Sequence, residues 1–283
     1  MFKHILFPVD FSERSRALRP AVAWITRKFN ASLTLLHAVQ MPILAGGVEA
    51  YPPPIDIEAL LGDHRQLLEN FWKEADSTPA EFVVLHGEPA TLITDFARQR
   101  GVDLITMSTH GYGLFRRLLL GSVAAKVLHD AHCAVWTAAH VEDHADAVRS
   151  EWKRIVCAVD DDEDSIALIR YAFDLARFCQ ATLLLVHALT GSQRAVAENQ
   201  DERAKQIRAA AQEEIRSRAQ KAGVDAPIEI GEGSVAEVVR RAAEKFQADL
   251  VITGRGHSPG RLGRLRSNAY AIIRDSPCPV LSV

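Results

Sequence analysis

The sequence predicts an α/β protein of two tandem domains, each a five-stranded, mainly parallel sheet flanked by helices. Three observations carry that expectation. Short apolar runs alternate with stretches of helical spacing along the 283 residues. The runs are rich in Ile, Leu and Val on both faces, as strands buried under helices on both sides must be. The second half also repeats the first. Lys3-His-Ile-Leu-Phe-Pro-Val-Asp10 returns as Lys153-Arg-Ile-Val-Cys-Ala-Val-Asp160, and Leu33-Thr-Leu-Leu-His-Ala38 as Leu183-Leu-Leu-Val-His-Ala188. Val102-Asp-Leu-Ile-Thr-Met107 returns as Ala248-Asp-Leu-Val-Ile-Thr253, and His132-Cys-Ala-Val135 as Pro277-Cys-Pro-Val280. Four matches in one order, at so long a period, indicate a duplicated domain and not a solenoid. The domains are expected at 1–140 and 152–283, with the polar, His- and Asp-rich stretch 139–151 as linker.

In the first half, strands are expected at Lys3–Val9, Ser32–Val39, Ala80–His86, Leu104–Ser108 and Ala134–Ala138. Helices are expected at Glu13–Phe29, Glu58–Ala75, Thr91–Arg100 and Val123–Asp130; Ile93, Phe96, Ala97 and Arg100 have the spacing of one helix face. Pro20 should delay the first helix or kink its opening turns. The Gly- and Pro-rich run from Gly46 to Ile55 reads as a stiff loop, and Gln200–Lys221 as a long salt-bridged polar helix.

Composition excludes several classes. Apolar residues make up 48% and charged residues 24%, enough for packed cores and too balanced for wholesale disorder. A net charge of -3 argues against bulk nucleic-acid binding. Asp10 interrupts the N-terminal apolar run too early for a signal peptide, and no apolar stretch is long enough to span a membrane. A cytoplasmic protein is the expectation. Cys133, Cys157, Cys179 and Cys278 lack metal-ligand spacing and read as reduced, buried thiols.

The densest chemistry lies in Ser108-Thr-His-Gly-Tyr-Gly-Leu-Phe-Arg-Arg-Leu-Leu-Leu-Gly-Ser122, between a strand and a helix. Gly111 and Gly121 let main chain approach a bound group. Gly121-Ser122 at a helix entrance adds free amides, a hydroxyl and the positive end of the helix dipole, the make-up of a phosphate cradle. In an open parallel sheet, ligands bind beyond the carboxyl ends of strands, where strand order reverses. Pro8-Val9-Asp10-Phe11-Ser12, His37-Ala38-Val39 and the glycine loop all fall at such ends. A phosphorylated ligand with a flat ring suits that crevice, with Asp10 meeting a ribose hydroxyl or a metal.

These residues resemble the universal stress protein family, once per half. Its nucleotide-binding members carry Gly-x2-Gly-x9-Gly-Ser/Thr, matched here by Ser108-x2-Gly111-x9-Gly121-Ser122. Phe7-Pro-Val-Asp-Phe-Ser12, Leu36-His-Ala38 and His86-Gly-Glu-Pro89 are similar to its other blocks. The resemblance implies two Rossmann-like, adenine nucleotide α-hydrolase-like domains whose last strands pair as an internal pseudo-dimer, and it is compatible with a homodimer of whole chains. It implies ATP in domain one. Pro8, Val9, Asp10, Phe11 and Ser12 would line the ribose and metal side, where Mg2+ on the phosphates would lie by Asp10. Ala38 main chain would read the adenine edge, and Met107 would line the adenosine pocket. Ser108, His110, Gly111, Gly121, Ser122 and Val123 would surround the phosphates. Ser108 departs from the motif glycine: its hydroxymethyl group either crowds the phosphates or donates to them.

The second half departs further. Its loop reads Gly254-Arg-Gly-His257, with Arg266-Ser267 at the counterpart of Gly121-Ser122, and Asp160-Asp-Asp-Glu-Asp164 follows its first strand. The expectation is a degenerate site, its acids paired with Arg255, Arg261, Arg264 and Arg266 and its hollow filled by side chains.

Other residues read more plainly. His37 and His187 read as satisfied core histidines; His110 either touches phosphate or faces solvent. Arg116 and Arg117 either steer phosphate or belong to a solvated loop. His129-Asp-Ala-His132-Cys133 straddles a helix end and a strand start, which argues against zinc. The chain has no P-loop lysine and no evident water-activating glutamate. A cytosolic ATP-binding stress-response sensor or switch with at most weak ATPase activity is the leading expectation. A nucleotide-free interaction scaffold is the alternative.

Overall fold

The computed structural model describes residues 1–40, 56–74, 78–109, 120–138, 151–189, 201–255 and 264–283, with main chain alone at 201–202 and 264–267. The chain divides into two compact units, Met1–Leu114 with Gly121–Val135 in the first and Trp136–Val283 in the second.

The first unit holds β1 (His4–Pro8), α1 (Glu13–Phe29), β2 (Ser32–Val39), α2 (Ile57–Lys73), β3 (Glu81–His86), α3 (Pro89–Gln99), β4 (Leu104–Ser108) and α4 (Ser122–Asp130), then the start of β5 (Ala134–Ala138). Its strand order is β3-β2-β1-β4-β5. β1 runs parallel to β2, in register Pro8 with Leu36, and parallel to β4, in register Leu6 with Ile105. The order therefore reverses between β1 and β4, which opens the crevice at their carboxyl ends. Ile5, Leu6, Leu35, Leu104 and Ile105 are almost wholly buried, consistent with a sheet covered on both faces.

The second unit repeats the plan with β6 (Arg154–Ala158), α5 (Asp164–Cys179), β7 (Thr182–Leu189), α6 (Asp201–Lys221), β8 (Ile228–Glu232), α7 (Val235–Phe246), β9 (Leu250–Thr253), α8 (Arg264–Asp275) and β10 (Val280–Ser282). Its order is β10-β9-β6-β7-β8, with parallel pairing throughout.

Matching sequence blocks perform matching jobs. Asp103 Oδ2 accepts from the amides of Lys3 and His4 at 2.8 and 2.9 Å. Asp249 Oδ2 does the same for Lys153 and Arg154 at 2.9 and 2.8 Å. Each aspartate thereby ties the start of one central strand to the start of its neighbour. Asn30 and Gln180 close α1 and α5 in the left-handed conformation, with φ of 50° and 57°.

Two local expectations are corrected. Pro20 does not delay α1, which begins at Glu13. The carbonyl that a proline at position 20 deprives of its helical partner is that of Arg16, and Arg19 Nε donates to it at 3.1 Å. Helix α3 begins at Pro89 instead of Thr91, because proline at the first helical position loses no bond and Glu88 caps the turn. The remaining borders shift by a residue or two: α2 spans Ile57–Lys73 and α4 begins at Ser122. Among the described residues, no helix is long and apolar enough to cross a membrane.

Candidate functional site

The site of the first unit is assembled from three adjacent strand ends. β1 ends at Pro8, and Val9 extends the ladder by donating its amide to Leu36 O at 2.8 Å. Asp10 and Phe11 then turn the chain into α1, whose N-cap is Ser12. Asp10 organises this turn. Its Oδ1 accepts from Ser12 N at 3.0 Å, Ser12 Oγ at 2.6 Å and Ser15 Oγ at 2.5 Å. Three donors on one oxygen fix the carboxylate and leave its second oxygen outside this set of bonds. Ser15 was not among the expected site residues. A signal existed: Ser12 and Ser15 stand one helical turn apart, and Ser165 repeats Ser15 150 positions on.

Phe11 adopts φ 60°, a conformation that bulky residues rarely tolerate. Its ring is held against His37, with centroids 4.5 Å apart, and edge-on to Phe71 at 5.8 Å. The ring of Phe11 is thus engaged in packing between His37 and Phe71. His37 lies 2.7 Å by Nδ1 from the carbonyl of Val9, so that nitrogen carries the proton. His64 of α2 stacks on it, centroids 5.0 Å apart and planes within 10°. Burial lowers the His37 pKa, as does the neighbouring His64, against the opposing pull of the Val9 carbonyl and Asp10. The imidazole is thus half-buried at the strand end, with Nδ1 bonded to the Val9 carbonyl. Ala38 follows it in β2, paired with Leu85.

The third strand end is β4, where Met107 is buried and Ser108 half-buried. Main chain closes the loop beyond it: Gly121 donates its amide to Thr109 O at 2.8 Å. The exit of β4 and the entrance of α4 are thus pinned together, and Thr109 is a closure point that the motif does not advertise. Gly121 is the N-cap of α4 with φ -60° and ψ 145°, a conformation open to any residue. Its lack of a Cβ therefore matters for space and not for backbone freedom. Ser122 opens the helix and Val123 follows, and the glycine N-cap has no side chain to cap the first turn. His110, Gly111, Arg116 and Arg117 lie outside the described residues; Pro8–Ser12 and Ala38 stand at the carboxyl ends of β1 and β2, Met107 and Ser108 at the end of β4, and Gly121–Val123 at the entrance of α4.

Glu88, from the resembling block His86-Gly-Glu-Pro89, caps α3. It accepts from the Ala90 and Thr91 amides and from Thr91 Oγ and Lys126 Nζ at 2.6–3.1 Å. The Thr91 hydroxyl foremost, with these other donors, holds its carboxyl down at about 2. Because Lys126 belongs to α4, Glu88 also ties two helices together.

At the strand ends of the second unit, the described residues bound a cavity of about 470 Å³, formed by the ends of β6, β7 and β9 and by α5, α7 and α8. Leu168, Val186, Val239 and Ile272 supply apolar wall, and Asp160, Asp161, Asp162 and Asp164 lie on the lining. These aspartates are held by local bonds. Asp160 Oδ1 takes the Asp161 amide at 2.9 Å, and Asp162 Oδ1 takes Ser165 N and Oγ at 3.1 and 3.0 Å. Arg218 of α6 donates to the main-chain carbonyl of Asp161 at 2.5 Å. Burial raises the Asp160 pKa, and the charges of Asp161 and Asp162 add to it. Helix α8 begins at Arg264, so Arg266 and Ser267 stand within its first turns and not at its entrance. Arg261 lies outside the described residues, as do the side chains of Arg264 and Arg266, so their pairing with the acids stays an expectation.

The cysteines are free; Cys157, Cys179 and Cys278 are buried and Cys133 half-buried. Burial pushes the Cys157 and Cys278 thiols up to about 12, which leaves them inert at neutral pH. His129, in the metal-like stretch, is bonded by Nδ1 to Asp130.

Comparisons agree with this architecture. The universal stress protein family matches residues 1–138 and again 151–283. Universal stress protein MJ0531 of Methanocaldococcus jannaschii is 30% identical over 137 residues, 48% of this chain and 81% of the relative. Universal stress protein A homolog 1 of Coxiella burnetii is 30% identical over 141 residues, 48% of this chain and 96% of the relative. A solved universal stress protein from Archaeoglobus fulgidus shares the fold over 99% of this chain and 97% of its own, with a TM-score of 0.68 at 20% identity. A duplicated α/β unit, its strand-end crevice and two family matches end to end lead to one conclusion: the chain belongs to the universal stress protein family.

Proposed function

We propose that the first unit binds ATP and that the protein works as a nucleotide-dependent sensor or switch, with hydrolysis slow or absent. The closure of Thr109 on Gly121 carries this reading. It sets Gly121 at the entrance of α4, where a glycine N-cap has no side chain to cap the first turn. Such a helix entrance suits an anion. The fixed Asp10 carboxylate, with one oxygen outside the Ser12–Ser15 bonds, suits a ribose hydroxyl. Among the described residues, no cluster of three His, Cys, Asp or Glu could hold a metal. A magnesium ion would arrive on the phosphates and lie by Asp10, in keeping with the way Mg2+ commonly binds through phosphates and one or two carboxylates.

The main chain of Pro8–Ser12 and Ala38 would hold ribose and adenine, with Met107 beneath. Ser108, His110, Gly111, Gly121, Ser122 and Val123 would meet the phosphates. The domains 1–140 and 152–283 would act as separate lobes, only the first taking triphosphate. The competing reading, a nucleotide-free scaffold in stress signalling, draws on Ser108, whose hydroxymethyl group stands where the motif has glycine.

Calorimetric titration with ATP and Mg2+ separates the two. The wild type should bind one equivalent in a manner abolished by Gly121→Arg. The φ of -60° accommodates arginine, so the variant should keep its circular dichroism spectrum. Unchanged affinity in the variant, or no binding by the wild type, would overturn the proposal. A phosphate-release assay should register little turnover.

A further inference from the structure

The second unit carries a cavity that the proposed function of the first leaves unused. It lies at the topological repeat of the first unit's crevice: Asp160 answers to Asp10, Ala188 to Ala38 and Thr253-Gly254 to Met107-Ser108, and all four of these second-unit residues line it. Its volume of about 470 Å³ falls within the ordinary range for small-molecule sites. Leu168 and Ile272 give it apolar walls suited to a flat ring. His187 Nδ1 is spent on Val159 O at 2.9 Å, as His37 is on Val9, so the strand-end scaffold is the same in both units.

The charge differs. The described lining carries four aspartates against a single cation, Arg255. Two of the aspartates are held in place by the Asp161 amide and by Ser165, and Arg218 anchors the acid-bearing turn through the Asp161 carbonyl. A polyphosphate brought among those carboxylates meets like charge in a partly desolvated space, where repulsion exceeds its value in water. The cradle differs too, because α8 begins at Arg264 and the counterpart of Gly121-Ser122 is already helix. An uncharged or cationic ligand meets neither obstacle.

We propose that this cavity binds a nucleoside without a phosphate chain, neutral or cationic at its 5′ end, so that the two units read different ligands. The nucleoside identity rests on the proposed adenine-nucleotide reading of the first unit; the discrimination against phosphates rests on the second unit alone. Gly254 provides the means of testing it. Among the described residues, a Cβ there would meet Leu168 Cδ2 alone, at an ordinary 3.6 Å, and Gly254 lines the cavity, so a larger side chain there would take up its space without backbone strain. Ala269 of α8, also on the lining, offers a second position for the same manoeuvre.

The experiment is calorimetric titration with adenosine and, separately, ATP, in the Gly121→Arg background that removes the first unit's cradle. Thermal melting monitors the fold of every variant. Adenosine should bind one equivalent, and Gly254→Leu or Ala269→Leu should weaken it at least tenfold. ATP should not bind that background, and Asp160→Asn with Asp161→Asn should admit it with at least a tenfold gain. No adenosine binding in the background overturns the proposal. So does ATP binding as tight as that of adenosine, or adenosine binding indifferent to whichever plug variant folds. Wild-type protein that fails to bind ATP would instead sink the reading of the first unit, an outcome recorded in a separate titration.

Discussion

Ser15 donates its hydroxyl to Asp10 at 2.5 Å, from the first turn of α1 back to the strand end that the helix follows. Ser15 is buried and its hydroxyl also accepts from Ser12 Oγ at 3.4 Å, so the bond holds the carboxylate from the protein side. Ser15→Ala should therefore cost about 1.5–3 kcal/mol, the usual range for a hydrogen bond to a charged group. Denaturant melts measure that loss. ATP titration should show weaker binding than wild type, because Asp10 loses one of the donors that orient it.

Asp103 and Asp249 perform the same task 146 positions apart, yet Asp249 is only 3% exposed whereas Asp103 is half-buried. Water replaces a buried acceptor less readily than a half-buried one, and an amide left unsatisfied costs about 1–3 kcal/mol. Asp249→Ala should accordingly lower the melting temperature more than Asp103→Ala. Equal losses would mean that the amides of Lys153 and Arg154 find other partners.

Glu88 sets an acid limit on the first unit. Its carboxyl is held at about 2 in the fold against an ordinary 4.5. A depressed carboxylate stabilises the fold fully above its unfolded value, and that contribution is lost as pH falls from about 4.5 towards 2. Chemical denaturation should find wild type more stable than Glu88→Gln at pH 7. The gap should close on acidification below pH 4.5.

His37 acts at milder pH. Burial keeps it neutral below its ordinary 6.5, so its contribution is complete above 6.5 and is lost as pH falls through its lowered value. Asp10 and the Val9 carbonyl oppose the shift, and His64, stacked on the ring, reinforces it. Proton NMR should find the His37 midpoint below that of a free histidine. His64→Gln should move it upward.

The alternation of apolar runs and helical spacing, with the internal repeat, made the architecture legible from residues alone. Burial patterns of period two and 3.6 are local properties of the chain. The entrance of α4 was legible for the same reason: Gly121 and Ser122, at the N-cap and the first helical position, mark it along the chain. Borders such as Pro89 and the passage of α1 through Pro20 were less so, because Glu88 and Arg19 satisfy those groups with side chains whose reach the pattern does not record.

Taken by itself, the sequence determined that there are two lobes, where their strands end, and which residues stand at those ends. Tertiary structure alone decided how those residues are spent: the Phe11 ring on His37, the Asp10 oxygen on Ser12 and Ser15, the Gly121 amide on Thr109. It also gathered the lining of a cavity in the second unit that the run of acids and arginines did not announce. The reason is physical. A charge pattern records which groups are near along the chain, whereas a cavity is the volume that remains after six distant elements have packed, and Leu168, Val239 and Ile272 meet around it only in three dimensions.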